Sequence, residues 1–371
     1  MKPAYPSYRR TWAEIDTEAL RHNLAALRLQ LEPTVGVMAV VKANAYGHGL
    51  AGVVRALAGS VQMFGVANVV EAREVRASAP ETPVFILGPA LPEERREIVE
   101  SGFVPSLSNL AEARAFAELG GTRRIPVHVA LDTGMGRMGI WEEDAVATVR
   151  EIQTISRLQV TGIASHLPVA DEDTAFTCEQ LMRFHKIAVV LREGCAEDFA
   201  VHVENSAGVI EMPALAGTMV RTGLALYGSS PIPSFQDRLR PVMTWKARVT
   251  LVREVGPGRG ISYGRTFITP APMRIATVGA GYADGYRRHL SGQSAEVLIC
   301  GRRCPLLGRV TMDQILVDVT ALPHCEAGEE VVLIGKQGSE EIRVAELAER
   351  SGTIAWDVFT GIGTRVERVV T

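Results

Sequence analysis

Lysine is scarce in this 371-residue chain, with Lys2, Lys42, Lys186, Lys246 and Lys336 among 39 cationic residues, so each one can be asked what it does. Lys42 closes the run Val35-Gly36-Val37-Met38-Ala39-Val40-Val41 and opens Ala43-Asn44-Ala45-Tyr46-Gly47-His48-Gly49. The run is almost wholly apolar and β-branched with polar or glycine breaks on both sides, which predicts a short buried strand. A lysine at a strand end is usually a solvated cap. One that leaves a core is partly desolvated, however, and burial lowers its pKa toward the neutral amine that condenses with an aldehyde.

Other residues supply what such an amine would need. Asn205-Ser206-Ala207-Gly208 and Arg221-Thr222-Gly223-Leu224 offer hydroxyls and glycine-freed backbone N–H groups suited to a phosphate, although either glycine alone would read as a turn. LDTGMGRMG, residues 131–139, delivers Arg137 from a loop with three glycines, where a guanidinium could pair with a substrate carboxylate rather than lie on the surface. His166 precedes Leu167-Pro168 and is either a satisfied buried histidine or a site residue. GISYG, GAGYADGY and GRVTMDQ place Tyr263, Tyr282, Tyr286, Met312 and Asp313 in glycine-rich settings. A loop tyrosine is more often a packing group, but a phenol transfers protons if nearby cations lower its pKa from about 10. Lys42 with the two glycine-hydroxyl loops points to a phosphorylated aldehyde, and pyridoxal 5'-phosphate fits.

The elements that must position these residues follow from periodicity. Short apolar runs at 35–42, 64–67, 84–88, 104–107, 125–132, 160–166, 200–206 and 219–223 alternate with amphipathic stretches at 50–57, 69–77, 93–101, 108–119, 142–155 and 174–193. Eight such repeats over about 230 residues predict a (β/α)₈ TIM barrel, an α/β fold. An open doubly wound sheet competes with it. Lys42, Arg137, His166, Asn205, Ser206 and Arg221 fall at or just after the ends of different runs, and only a closed barrel gathers those ends on one face. After Pro241 the texture becomes short β segments between glycine and proline turns, with one helix near 344–350. The division expected is a barrel over 1–240 and a mostly β C-terminal domain over 241–371, with a strand-like stretch at 8–15 and residues 1–12 as candidates to pair with the second domain.

A formal charge of −3 without a basic stripe argues against nucleic acid and against an anionic membrane surface, leaving a small molecule as the expected ligand. The first residues lack an apolar export segment, and no run of about eighteen apolar residues occurs, so a cytoplasmic protein is expected. Cys178, Cys195, Cys300, Cys304 and Cys325 contain no CxxC pair, which argues for free thiols and for no metal site.

With these motifs in order, the chain resembles the alanine racemases across nearly its whole length: VVKANAYGHG, LDTGMGRMG, SHLPVAD, HVENSA, VRTGLALYG, ISYG, GYADGY and GRVTMDQ all match. The resemblance implies a pyridoxal-phosphate enzyme that is a homodimer, each active site completed by the partner's second domain. It implies that Lys42 holds the cofactor and acts as one base, and that Tyr263 from the other subunit acts as the opposite one. Tyr46, Ser206, Gly223 and Leu224 then correspond to phosphate binders, with Asn205 and Trp356 also on the cofactor side. Arg221 corresponds to the residue facing the pyridine nitrogen, and His166 to a group in the network of Arg221 and Tyr263. Arg137 and the Met312 backbone, with Asp313 beside it, correspond to substrate-carboxylate contacts, and Tyr282 lines the approach.

An arginine at the ring nitrogen stays protonated, so the nitrogen remains an acceptor and the ring a weaker electron sink. Two positions depart from the family pattern. Ala130 stands where many members carry a carbamate-modified lysine that braces the arginine, and Trp356 stands where a tyrosine usually reaches the phosphate. The expected activity is interconversion of L- and D-alanine for peptidoglycan. The rivals are a broader racemase acting on serine or larger residues, a barrel-type decarboxylase, and a protein that only carries pyridoxal phosphate. The decarboxylase would want a Cys-Asp-Ser stretch, which is absent here, and the carrier a lone barrel.

Overall fold

A computed structural model of the protein describes residues 8–193, 197–215 and 217–371. Two compact units divide them: Glu18–Ala45 with Leu50–Arg240, and the residues through Thr17 with Tyr46–Gly49 and Pro241–Thr371.

In the first unit, the apolar runs become the parallel strands β2 (Gly36–Val40), β3 (Met63–Val66), β4 (Val84–Ile86), β5 (Val104–Leu107), β6 (Ile125–Asp132), β8 (Leu158–Ala164), β9 (Ala200–His202) and β10 (Met219–Thr222), with β1 (Thr11–Ile15) and β7 (Ile140–Trp141) outside this set. Neighbours pair in the order β10-β2-β3-β4-β5-β6-β8-β9, and β7 adds a short ladder to β6. The ring is nearly closed. Among the described residues no ladder joins its two ends, but the Arg221 N–H donates to the Glu204 carbonyl at 2.9 Å across them. The chain is thus an α/β barrel followed by a mostly β domain.

Strand ends can converge only if the interior is filled. Met38, Met63, Phe85 and Val104 form one buried cluster, and the Phe85 ring packs 4.7 Å from that of His128 and 5.5 Å from that of His202. The covering helices begin where short polar side chains take orphan backbone donors: Asn68 accepts from Glu71 N, Asn109 from Glu112 N and Asp173 from Phe176 N. A helix over Thr17–Arg28, absent from the sequence-based expectation, buries Ala19, Leu20, Asn23, Leu24 and Leu27 along one stripe.

In the second unit the 13-residue strand β11 (Met243–Val255) is the spine. It pairs antiparallel with β1, β12 (Met273–Val278) and β13 (Glu330–Gln337), while β1 also pairs parallel with the last strand, Glu367–Val370. Trp245, fully buried, donates from Nε1 to Thr11 Oγ1 at 2.9 Å, so the spine and β1 share a side-chain bond besides their ladder. Residues 1–7 and Cys195 lie outside the described residues. No helix of the described residues is long and apolar enough to cross a membrane.

Candidate active site

Lys42 lies two residues past the end of β2. The strand end is pinned by the Tyr227 hydroxyl, which donates to the Val40 carbonyl at 2.9 Å, and by Val41 N, which donates to the Gly65 carbonyl. The amine is half-buried, and its pKa is held below the ordinary lysine value. Burial is the main cause; the positive charge of Arg137 and, more weakly, that of Arg221 add to it against an opposing pull from Glu71. The same Glu71 carboxylate accepts from Ala43 N at 2.7 Å and Ala67 N at 2.8 Å, and so ties the loops after β2 and β3.

Behind the lysine the backbone turns left-handed. Ala43, Asn44, Ala45 and Tyr46 all carry φ of 52–54°, a conformation costing roughly 1–2 kcal/mol per non-glycine residue. Ala45 N donates to the Val41 carbonyl, and Asn44 Oδ1 accepts from Leu50 N at 2.8 Å. Strain kept in place by such bonds marks a position that the fold over-determines.

Arg221, on β10, is buried beneath the strand ends. Its Nη1 donates to His202 Nδ1 and to the His202 carbonyl, each at 2.7 Å. Its Nη2 donates to the Ser165 carbonyl, to the Val203 carbonyl at 3.1 Å and to His166 Nδ1 at 3.2 Å. A guanidinium has no acceptor, so both Nδ1 atoms must be lone pairs and both imidazoles neutral. His202 Nε2 then carries the proton and donates to His128 Nδ1 at 2.8 Å. Burial, reinforced by Arg221, pushes the pKa of His166 and of His128 down to about 3, and that of His202 well below its ordinary value. Burial lowers Arg221 itself to about 10, so it is still a cation at neutral pH.

The chemistry of the donor set after β9 and β10 fits a phosphate. Ser206 Oγ accepts from Gly223 N at 3.1 Å and Ala225 N at 3.3 Å, which leaves its own proton to give to an anion. Leu224 starts the short turn Leu224–Tyr227 directly after Gly223. Asn205 has both polar atoms engaged, Oδ1 accepting from Gly208 N and Nδ2 donating to the Leu167 carbonyl, so it shapes this loop. With the half-buried Lys42 amine and the Arg221 cation, these groups match an aldehyde, a ring nitrogen and a phosphate, the functional groups of pyridoxal phosphate.

Arg137 is aimed by Asp132, the last residue of β6. Its Oδ1 accepts from the N–H groups of Gly134, Met135 and Gly136 at 2.9–3.1 Å. A side chain at Gly139 (φ 113°) would put its Cβ 2.9 Å from Asp132 N, so that turn requires glycine. Among the described residues Arg137 forms no ion pair, and buried Ala130 faces Ala164 across the ladder.

The remaining expected site residues belong to the other unit. Tyr263, 71% exposed, sits in a tight turn between Ser262 (φ 60°) and Gly264 (φ 73°). Tyr282 and Met312 are also exposed, and their loops are stitched together by Tyr282 N to the Thr311 carbonyl at 3.0 Å and Ala283 N to the Met312 carbonyl at 2.9 Å. Asp313 pairs with Arg365 at 2.9 Å, and that guanidinium also reaches buried Asp284 at 3.4 Å. Trp356 is half-buried in the helix Ala355–Thr360. Sequence reasoning did not single out Glu71, His128, Asp132, His202 or Tyr227. A buried polar residue at the end of an apolar run was the signal available for Asp132 and His202.

Comparison with known proteins agrees with the geometry. Residues 15–231 match the family model "Alanine racemase, N-terminal domain", and residues 242–370 match "Alanine racemase, C-terminal domain". An alanine racemase of Halothermothrix orenii is 38% identical, over 97% of this chain and 96% of its own length. The solved alanine racemase of Clostridium difficile 630 superposes with a TM-score of 0.92 at 32% identity, covering 99% of this chain and 97% of that one. That of Bartonella henselae, solved with covalently bound pyridoxal phosphate, gives 0.88 at 27% identity, covering 98% and 99%. With a lysine at the end of the first barrel strand, a buried arginine at the eighth, and matches spanning both units, the chain belongs to the alanine racemase family.

Proposed function

We propose that this protein is a pyridoxal-phosphate-dependent racemase that interconverts L- and D-alanine. The observation that carries the reading is the Lys42 amine, half-buried at the end of β2 and deprived of stabilisation as an ammonium by burial and by Arg137. When bound, pyridoxal phosphate supplies an aldehyde for that amine and a conjugated ring that withdraws electrons from the α-carbon.

The residues do the rest. Neutral Lys42 Nζ removes the α-proton from one face, and Tyr263 Oη delivers a proton to the opposite face; the reverse reaction exchanges their roles. No electrons are gained or lost. Tyr263 comes from a second copy of the chain in a homodimer, in keeping with its 71% exposure here. Arg137 holds the substrate carboxylate with the Met312 backbone, while Asp313, locked by Arg365, fixes that turn, and Tyr282 lines the approach. Arg221 presents a fixed positive charge to the ring nitrogen, and His166, held neutral, orients that charge. Ser206, Gly223, Leu224 and Tyr46 hold the phosphate, Trp356 adds its indole N–H, and Asn205 braces the loop. A cytoplasmic enzyme supplying D-alanine to peptidoglycan follows from this reading.

A second reading, a racemase of broader range that includes serine, is favoured by two observations: Arg137 has no ion-pair partner among the described residues, and Ala130 is small. Incubation with pyridoxal phosphate and a pool of L-amino acids, followed by chiral chromatography, tests both. D-alanine alone supports the main reading and several D-enantiomers the second. None, with cofactor bound, leaves a carrier. Tyr263→Phe should depress turnover sharply while the cofactor stays bound.

A further inference from the structure

We propose that Arg368 is a positioning residue for the loop Tyr46–Gly49, and through that loop for the phosphate of the cofactor. The inference rests on the reading of Tyr46 as a phosphate contact.

Arg368 lies in the last strand, and its guanidinium makes four donations, all to backbone carbonyls. Nε reaches Gly47 at 2.8 Å, Nη1 reaches Gly363 and Val366 at 2.6 Å each, and Nη2 reaches Ile362 at 2.7 Å. Among the described residues it has no carboxylate partner, although burial holds its pKa below the ordinary arginine value. A half-buried cation without a counter-charge costs stability, so its four bonds serve to fix backbone rather than to form an ion pair. The one carbonyl it takes from a distant stretch of sequence belongs to Gly47, the residue after Tyr46.

The other side of the same loop is closed as tightly. Gly47 (φ 78°) lies so near the Phe359 carbonyl that a Cβ would stand 2.1 Å from its oxygen. The His48 ring meets the Phe359 ring edge-on at 4.7 Å, and a Cβ at Gly49 would touch the Arg368 stem at 3.4–3.5 Å. The peptide that carries Tyr46 is therefore held between the helix Ala355–Thr360 and the Arg368 fork. Burial raises the Tyr46 phenol to about 12, so it remains a donor suited to an anion. Only a planar fork with several donors reaches Gly47 and the 362–366 turn at once; a lysine at 368 makes one point contact.

The test compares two ligands that differ only in the phosphate. Apoprotein is titrated with pyridoxal phosphate and with pyridoxal, and binding is followed by the visible absorbance of the lysine-bound aldehyde. Arg368→Gln should weaken pyridoxal phosphate about tenfold or more, the scale of one lost charge-assisted hydrogen bond, and change pyridoxal by less than about twofold. Arg368→Lys, the milder variant if the glutamine protein does not fold, should fall between wild type and glutamine. Equal weakening of both ligands, or a drop in melting temperature alone, would show a purely structural arginine and overturn the proposal. Tyr46→Phe separates the two levels. If it changes the ratio while the Arg368 variants do not, positioning by Arg368 is wrong; if it leaves the ratio untouched, the phosphate reading of Tyr46 itself has failed.

Discussion

Arg221 and His202 are joined twice, the guanidinium Nη1 standing 2.7 Å from both the imidazole Nδ1 and the carbonyl of the same residue. The side-chain bond fixes the tautomer of His202, and through it the histidine fixes His128. The Arg221 side chain is thereby held at a set angle on a floor of neutral groups. His202→Leu removes the Nδ1 acceptor and leaves the backbone bonds in place. The expected result is a fall of about tenfold in kcat/KM, near 1.4 kcal/mol, with the chain still folded by circular dichroism. An unchanged kcat/KM would mean that the carbonyls alone aim the arginine.

The same network determines the pH dependence. His128 and His166 lie at about 3, so neither titrates between pH 5 and 8, and the rate profile should show no histidine limb near 6.5. With Lys42 as the proposed base, the rising limb should be its own. Its pKa is lowered, so the neutral base appears at lower pH than for an ordinary lysine, and activity climbs as pH passes through that lowered value. Arg137→Gln removes a positive neighbour that disfavours the ammonium. The Lys42 pKa then rises, and the limb of kcat against pH moves to higher pH, separate from whatever KM loss follows from the missing carboxylate contact.

The eight barrel strands and most of their helices were legible because burial on both faces writes a continuous apolar run and an amphipathic cover writes a 3.6-residue period. Their ends shift by a few residues where polar chemistry begins: the run expected over 200–206 stops at His202, because Asn205 is already the N-cap of the next helix. The left-handed turn at 43–46 was not legible. Apolar pattern reports burial and says nothing about the sign of φ, and only Asn44 and the flanking glycines hint at it. The pairing of Arg221 with His202 and His128 escaped for another reason. The two histidines are 74 residues apart and meet only because parallel strands bring their ends to one side of a ring.

Asp132 offers a test of how Arg137, the proposed substrate-carboxylate contact, is aimed. One oxygen of its carboxylate gathers three N–H groups of the loop that leads to Arg137. Asp132→Ala leaves those donors to water or to nothing, at a cost of about 1–3 kcal/mol for a buried acceptor lost. If the loop serves Arg137, KM for alanine should rise at least about tenfold with kcat less affected. Asp132→Asn keeps an oxygen in place and should recover most of the loss. A parallel fall of kcat in both variants would instead implicate the barrel floor.

Gly162 sits on β8 directly opposite His128 in the ladder with β6, and the imidazole lies over the place where a side chain would begin. A Cβ there would stand 2.6 Å from His128 Cδ2 and 2.7 Å from Cγ and Nε2, too near for the ring to remain where it is. Gly162→Ala should therefore destabilise the protein by about 1–3 kcal/mol through overpacking. It should also lower kcat/KM, because a displaced His128 no longer accepts from His202. Shrinking the ring separates these effects. In Gly162→Ala with His128→Ala the clash is gone, so the double variant should melt at a higher temperature than the sum of the two single losses allows, yet regain no activity. The non-additive part of the unfolding free energy measures the clash. Simple additivity would show that the barrel core accommodates the methyl by moving something other than His128.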